Sequence, residues 1–217
     1  VVDKTAHRAG ALVALGEEPF DFIVSPFGDA TNRGRYNTAL NDVSGRWAFN
    51  RQLYGHVFTQ STGSLAALTT LGLGVNDQHL TILPRIASAG NPAPAWILAA
   101  AAAARIVPWL SDAATGNVSR NQTGLVVQGV KPQRNRTTLP TYTGRNTLLR
   151  SGISTLNVTS DGQVSIDKII TTYQKDQNGQ PDETFRDIQY KVAAPKEAVK
   201  DHRGKNRGYT VKDEDTT

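Results

Sequence analysis

The chain has 217 residues, with 24 Lys+Arg against 19 Asp+Glu, 38% hydrophobic residues, 20% charged and 7% aromatic. This composition excludes collagen-like, coiled-coil and fully disordered classes. The longest apolar run, Trp96 to Val107, contains Arg105 and stops at Pro108, short of the roughly 20 residues of a bilayer span, so a soluble chain is expected.

Zero cysteine removes disulfides, Cys-ligated zinc, iron–sulfur clusters and thiol catalysis. Methionine is absent too, and the opening at Val1 has no signal-peptide pattern, so a portion of a longer gene product is expected. The net charge of +5 is concentrated. Between Asp112 and Asp161 there is no acidic residue, while Arg120, Lys131, Arg134, Arg136, Arg145 and Arg150 supply all the positive charge of the stretch. That stretch reads either as a solvated loop or as a surface for a polyanion or an acidic partner.

In chain order, Phe20 to Ser25 reads as a strand stopped by Pro26. Leu40, Val43 and Trp47 recur near a 3.6 period and predict a helix over about Arg35 to Gln52, disturbed at Gly45. Tyr54 to Thr59 reads as the next strand, Ser64 to Leu73 as a helix, and Leu80 to Leu83 as a third strand ended by Pro84. Trp96 to Val107 predicts a helix whose alanine run allows close packing. Three strands alternating with helices argue for an α/β fold, a mostly parallel sheet with helices on its faces. Leu125-Val126-Val127 reads as a fourth strand, followed by the basic loop and a short helix near Asn146 to Arg150. Ile153 to Thr159 and Val164 to Tyr173, joined at Asp161-Gly162, predict a long β-hairpin with one buried face and one wet face. From Lys191 the chain is polar and reads as an exposed tail.

A search for chemistry finds little. There is no G-x-S-x-G elbow, no phosphate loop and no H-E-x-x-H pair. Gly72-Leu73-Gly74 ends a helix instead of following a strand. His7, His56, His79 and His202 have no metal-ligand spacing. His56, inside a strand, reads as a hydrogen-bonded structural residue. Asp77 beside His79 reads as a loop cap in preference to a catalytic dyad. Ser61, Ser64 and Ser88 look like turn or cap residues. Trp47, Trp96 and Trp109 read as core or interface anchors.

Several segments resemble one family in the same order: Phe20-Asp21-Phe22-Ile23, Gly45-Arg46-Trp47, Tyr54-Gly55-His56-Val57-Phe58, Asn76-Asp77 with His79, and Arg145-Asn146 with Leu148-Leu149. The hairpin then adds Gly152-Ile153-Ser154-Thr155, Asp161-Gly162, Val164-Ser165-Ile166 and Ile169 to Gln174, followed by Asn178-Gly179, Pro181-Asp182 and Asp187. Together, over about residues 20 to 188, they resemble the contractile tail sheath proteins of Mu-like bacteriophages.

The resemblance implies a subtilisin-like sheath core that is not a protease, followed by a β-hairpin-containing C-terminal α+β part. The division expected is a connecting segment at 1–19, the core at 20–145, the start of the C-terminal sheath domain at 146–190, and a polar tail at 191–217. It implies a structural subunit with no cofactor and no metal, polymerising as hexameric rings stacked helically around a tail tube and contracting to drive that tube through the host envelope. The partners implied are further copies of the subunit, the tail tube protein, and tail terminator and baseplate proteins. Specific nucleic-acid binding and membrane insertion are not expected. The location implied is the virion tail, with the host cytoplasm during assembly. The residues expected at a subunit or tube interface are Arg120, Lys131, Arg134, Arg136, Arg145, Arg150, Val164, Ile166 and Ile169. The rival reading is an α/β hydrolase or small-molecule-binding protein using the Asp77/His79 loop, which rests on fold analogy alone.

Overall fold

A computed structural model describes residues 10–110 and 122–188. Strands β1 (Phe22–Val24), β2 (His56–Gly63) and β3 (Leu80–Ile86) form a parallel sheet in the order β1-β2-β3. Helices α1 (Ala30–Leu40) and α2 (Leu65–Leu73) make the two crossovers, and α3 (Ala95–Leu110) follows β3. The expected α/β alternation is therefore present. Among the described residues no helix is long and apolar enough to cross a membrane.

The first helix is displaced from its expected position. Asp29 caps α1 by accepting from the Asn32 amide at 3.0 Å, so the helix begins earlier than its apolar spacing suggested. It ends at Asn41, whose Oδ1 takes the amides of Val43, Ser44 and Gly45 at 3.0, 2.7 and 3.1 Å. Such an Asx contact offers the backbone an alternative to the helix. Leu40 and Trp47 are both buried, but Val43 is 90% exposed. The apparent period thus joined a helix end to a loop.

The next helix lies where expected. The Ser64 hydroxyl caps α2 by accepting from the Ala67 amide at 3.2 Å. Near its end, Gly72 packs against the chain after helix α4 (Tyr142–Arg150): a Cβ at Gly72 would lie 2.1 Å from the Ser151 carbonyl oxygen.

Strand β3 runs through Pro84 to Ile86 instead of ending there. The carbonyls of Leu80 and Ile82, and both backbone groups of Ile86, bond to groups outside β2: Thr172, Ser154 and the Gln133 side chain. Pro84 shares their phase, so its missing N–H lies on that outer edge and costs no β2–β3 ladder bond.

Leu125-Val126-Val127 is not a fourth strand of the parallel sheet. It bridges antiparallel to β5 (Val164–Lys168), through Val127 N–H to the Val164 carbonyl and Ile166 N–H to the Leu125 carbonyl, both at 2.8 Å. The hairpin itself is shorter than expected, with β4 (Thr155–Val158) antiparallel to β5 and Gly162 at φ +77° in the turn. Past Lys168 the chain leaves β5, and the Thr172 amide bonds to the Leu80 carbonyl at 2.9 Å. The second face of β5 is not wet at its start, since Ser165 is buried beside Val164 and Ile166.

Two apolar clusters result. One gathers Tyr36, Leu40, Trp47, Leu68, Ile82 and Leu148. The other packs Phe58, Ala99, Ala103, Ile106, Val127 and Ile166, with Ile188 added. The buried alanines bring α3 close to β2 and β3, as their small side chains suggested.

Candidate interaction surface

The polar residues with a chemical reading are built into the scaffold. The Thr81 hydroxyl donates to the Ile170 carbonyl at 2.9 Å, and His56 Nε2 lies 2.8 Å from Thr81 Oγ1. With its one hydrogen committed, Thr81 accepts there, so His56 carries its proton on Nε2. Burial, and secondly the neighbouring His79, hold the imidazole well below its ordinary pKa, so it is neutral near pH 7. The expectation of a hydrogen-bonded structural histidine is met.

Asp77 Oδ1 accepts the His79 backbone amide at 2.8 Å, and its Oδ2 accepts from Asn37 at 3.2 Å. The His79 ring stacks on Trp47 at 4.4 Å with planes 15° apart. Its Nε2 is 3.4 Å from Asp42 and makes no hydrogen bond. Asp77 and His79 thus form the loop cap expected of them. No group of three His, Asp or Glu among the described residues could hold a metal ion.

Arg46 joins two backbone segments distant in sequence. Its guanidinium donates to the carbonyls of Tyr54, Gly16 and Glu18 at 3.0, 3.1 and 2.7 Å and lies 3.8 Å over the Phe20 ring. The segment before β1 is thereby tied to the loop before β2. Trp47 adds a 2.7 Å bond from Nε1 to the Gly55 carbonyl. Sequence reasoning noted Gly45-Arg46-Trp47 only as a familiar string. A buried arginine has no local sequence signal, because its partners are backbone carbonyls.

An apolar concavity lies between β3 and β4. Ser154 N–H bonds to the Ile82 carbonyl at 3.1 Å, and beyond that bond the strands diverge. The resulting slot of about 380 Å³ has Pro84 and Ile86 on one wall, Leu156 and Val158 on the other, and Leu98 and Leu148 among its lining. Its charged lining residues, Arg85, Lys131, Arg136 and Arg145, are all cationic.

The open edge in this slot belongs to β4. Val164 and Ile166 turn their backbone groups toward 125–127, so β5 lies between that segment and β4. Their opposite partners, Val158 and Leu156, consequently direct their N–H and C=O groups away from β5, into the slot.

The expected interface residues that are described divide into four sets. Lys131 and Arg136 line the slot, and Arg136 Nη2 donates to the Thr159 carbonyl at 3.1 Å. Arg134 is exposed, with its amide bonded to the Gly90 carbonyl, and Arg150 is exposed in the last turn of α4, where a cation faces the helix's negative end. Arg145 is an internal strut, its Nε 3.0 Å from Asp167 Oδ2, which also accepts from Thr155. Val164, Ile166 and Ile169 are buried in the second cluster of this chain. Arg120 and Trp109's side chain lie outside what is described. Trp47 is a core anchor, and Trp96 is 52% exposed on α3.

Residues 4–172 match the family model of the phage tail sheath protein central domain. The chain is 32% identical over 176 residues to the Mu-like prophage FluMu tail sheath protein of Haemophilus influenzae, an alignment that covers 81% of this chain and 34% of that relative. The chain thus spans about a third of the relative's length.

Proposed function

Because the chain belongs to the phage tail sheath family, we propose that it acts as a structural, non-enzymatic subunit of a contractile tail sheath. The observation that carries this reading is the family match over residues 4–172. The subunits polymerise as hexameric rings stacked around a tail tube, meet terminator and baseplate proteins at the ends, and contract to drive the tube through the host envelope. Assembly takes place in the host cytoplasm and the product is the virion tail. The parallel core at 20–145 is of subtilisin-like type, and 146–190 opens the C-terminal sheath domain.

In this reading the exposed charges of Lys131, Arg134, Arg136 and Arg150, with Arg120, face an acidic neighbour or the tube. Arg145, Val164, Ile166 and Ile169 hold the hairpin rigid behind them. Clustered charge of this kind raises association rate and fixes register more than it adds affinity. Reversing Arg134 and Arg136 to Glu therefore slows assembly at low salt and matters less at high salt. An assembly rate indifferent to the double reversal at every ionic strength removes these residues from the interface.

The enzyme alternative finds no support in the Asp77/His79 loop, whose carboxylate is committed to amide donors. A screen with generic esterase and peptidase substrates tests it. Turnover abolished by His56→Ala or His79→Ala restores that alternative.

A further inference from the structure

We propose that the slot between β3 and β4 is a small-molecule site for a medium-chain carboxylate, with the acid group at Arg85 and the aliphatic chain running toward the Ser154–Ile82 bond. The inference goes beyond the sheath reading and does not depend on it.

Arg85 carries the argument. It is 7% exposed, its Nη2 donates to the Ala93 carbonyl, and both residues line the slot. Among the described residues no carboxylate pairs with it, although a buried charge is ordinarily paired. Burial lowers its pKa from the ordinary guanidinium value with no charged neighbour to raise it, whereas Asp29 acts in that direction on Arg33, which is also desolvated. A guanidinium withdrawn from water and lacking a counter-charge fits an anionic ligand, and its planar fork matches a carboxylate.

The fold brings further positive charge to the same end. Gln133 bonds both backbone groups of Ile86, and Arg136 donates to the Thr159 carbonyl, so residues 133–136 bridge the ends of β3 and β4. Lys131, on the same segment, is exposed and lines the slot. Arg145, toward the Thr155 end, is already neutralised by Asp167. No carboxylate lines the slot, so the acid group belongs at the end where Arg85, Arg136 and Lys131 stand.

The remaining lining sets the body of the ligand. Pro84 and Ile86 face Leu156 and Val158, with Leu98 and Leu148 also lining the slot, and the space narrows at the Ser154–Ile82 bond. Its volume of about 380 Å³ lies in the range of roughly 300–1,000 Å³ for small-molecule sites. The four residues of β4 span about 13 Å, a length that suits an unbranched chain such as that of decanoate. A much shorter acid leaves apolar lining in water and forgoes that burial.

The test titrates decanoate, below its micellar concentration, into the full chain, followed by calorimetry and by amide and methyl NMR shifts. Saturable one-to-one binding is expected, with the largest shifts at Ile86, Leu156 and Val158. Acetate, which is the head alone, and decyltrimethylammonium, a similar tail on a cation, bind weaker by about tenfold or more. Arg85→Gln weakens decanoate binding by about tenfold or more. Lys131→Glu, at an exposed position that leaves the core intact, weakens it severalfold, and more at low salt than at high. If Arg85→Gln does not fold, the head-group comparison and Lys131→Glu still decide. No saturable binding, equal affinity for decanoate and decyltrimethylammonium, unchanged affinity in Lys131→Glu at every ionic strength, or shifts centred outside the slot overturns the assignment.

Discussion

Ser154 donates its amide hydrogen to the Ile82 carbonyl at 3.1 Å, and this bond anchors the hairpin to the edge of the parallel sheet. It joins the hairpin to the sheet while leaving β4 with an open edge beyond Ser154. Arg145 and Asp167 brace the same junction from α4. Removing either charge leaves the other partly buried, since their side chains are 17% and 27% exposed. In a double-mutant cycle on Arg145→Met and Asp167→Asn, urea unfolding is expected to give a coupling of about 1–2 kcal/mol. Purely additive effects contradict the strut assigned to this pair.

The close approach at Gly72 gives a sharper steric prediction. The obstacle to a Cβ is the Ser151 carbonyl, backbone that cannot swing aside. Gly72→Ala is expected to lose about 2–3 kcal/mol or more, despite alanine's better helix propensity. A thermal melt compared with Gly34→Ala, where a Cβ meets nothing within 4 Å, separates the clash from propensity. Equal melting shifts for the two variants contradict the contact.

Arg46 predicts a loss that lysine cannot repair. Its planar fork serves three carbonyls from two segments, Gly16 and Glu18 in one and Tyr54 in the other, whereas an ammonium is a point donor. Arg46→Ala is expected to cost about 2–4 kcal/mol through carbonyls left without partners. Arg46→Lys should recover less than half of that in urea unfolding. Full recovery by lysine reduces Arg46 to a charge.

His56 makes stability depend on pH with a definite sign. Its pKa is lowered well below 6.5 in the folded chain, so below pH 6.5 the unfolded chain binds a proton that the folded chain refuses. Stability is then lost as pH falls below the unfolded value, at up to about 1.4 kcal/mol per pH unit. His56→Gln keeps a donor for Thr81 and has no such proton. The difference between the two proteins' unfolding free energies should change by that slope between pH 6.5 and 5. A constant difference shows that folding does not lower the His56 pKa.

Much of the sheet was legible because its signals are local. Ser64 caps α2 where a hydroxyl before Leu65 predicted it. His56 to Thr59 in β2 and Leu80 to Leu83 in β3 are buried without alternation, as parallel strands covered on both faces require. What failed depends on contacts distant in sequence. Asn41 ends α1 with its side chain, which the spacing of Leu40, Val43 and Trp47 cannot show. Pro84 is tolerated only because its N–H side faces away from β2, and Val126 pairs with Ser165 across a long interval. For the candidate surface, the sequence located the cationic stretch. It did not separate Arg145, spent on Asp167, from Lys131 and Arg136 at the slot.

The central claim, a self-assembling sheath subunit, is tested most directly by electron microscopy of the purified protein at increasing concentration, alone and with its tail tube partner. The account predicts helical tubes with stacked rings. A protein that stays strictly monomeric under both conditions contradicts it.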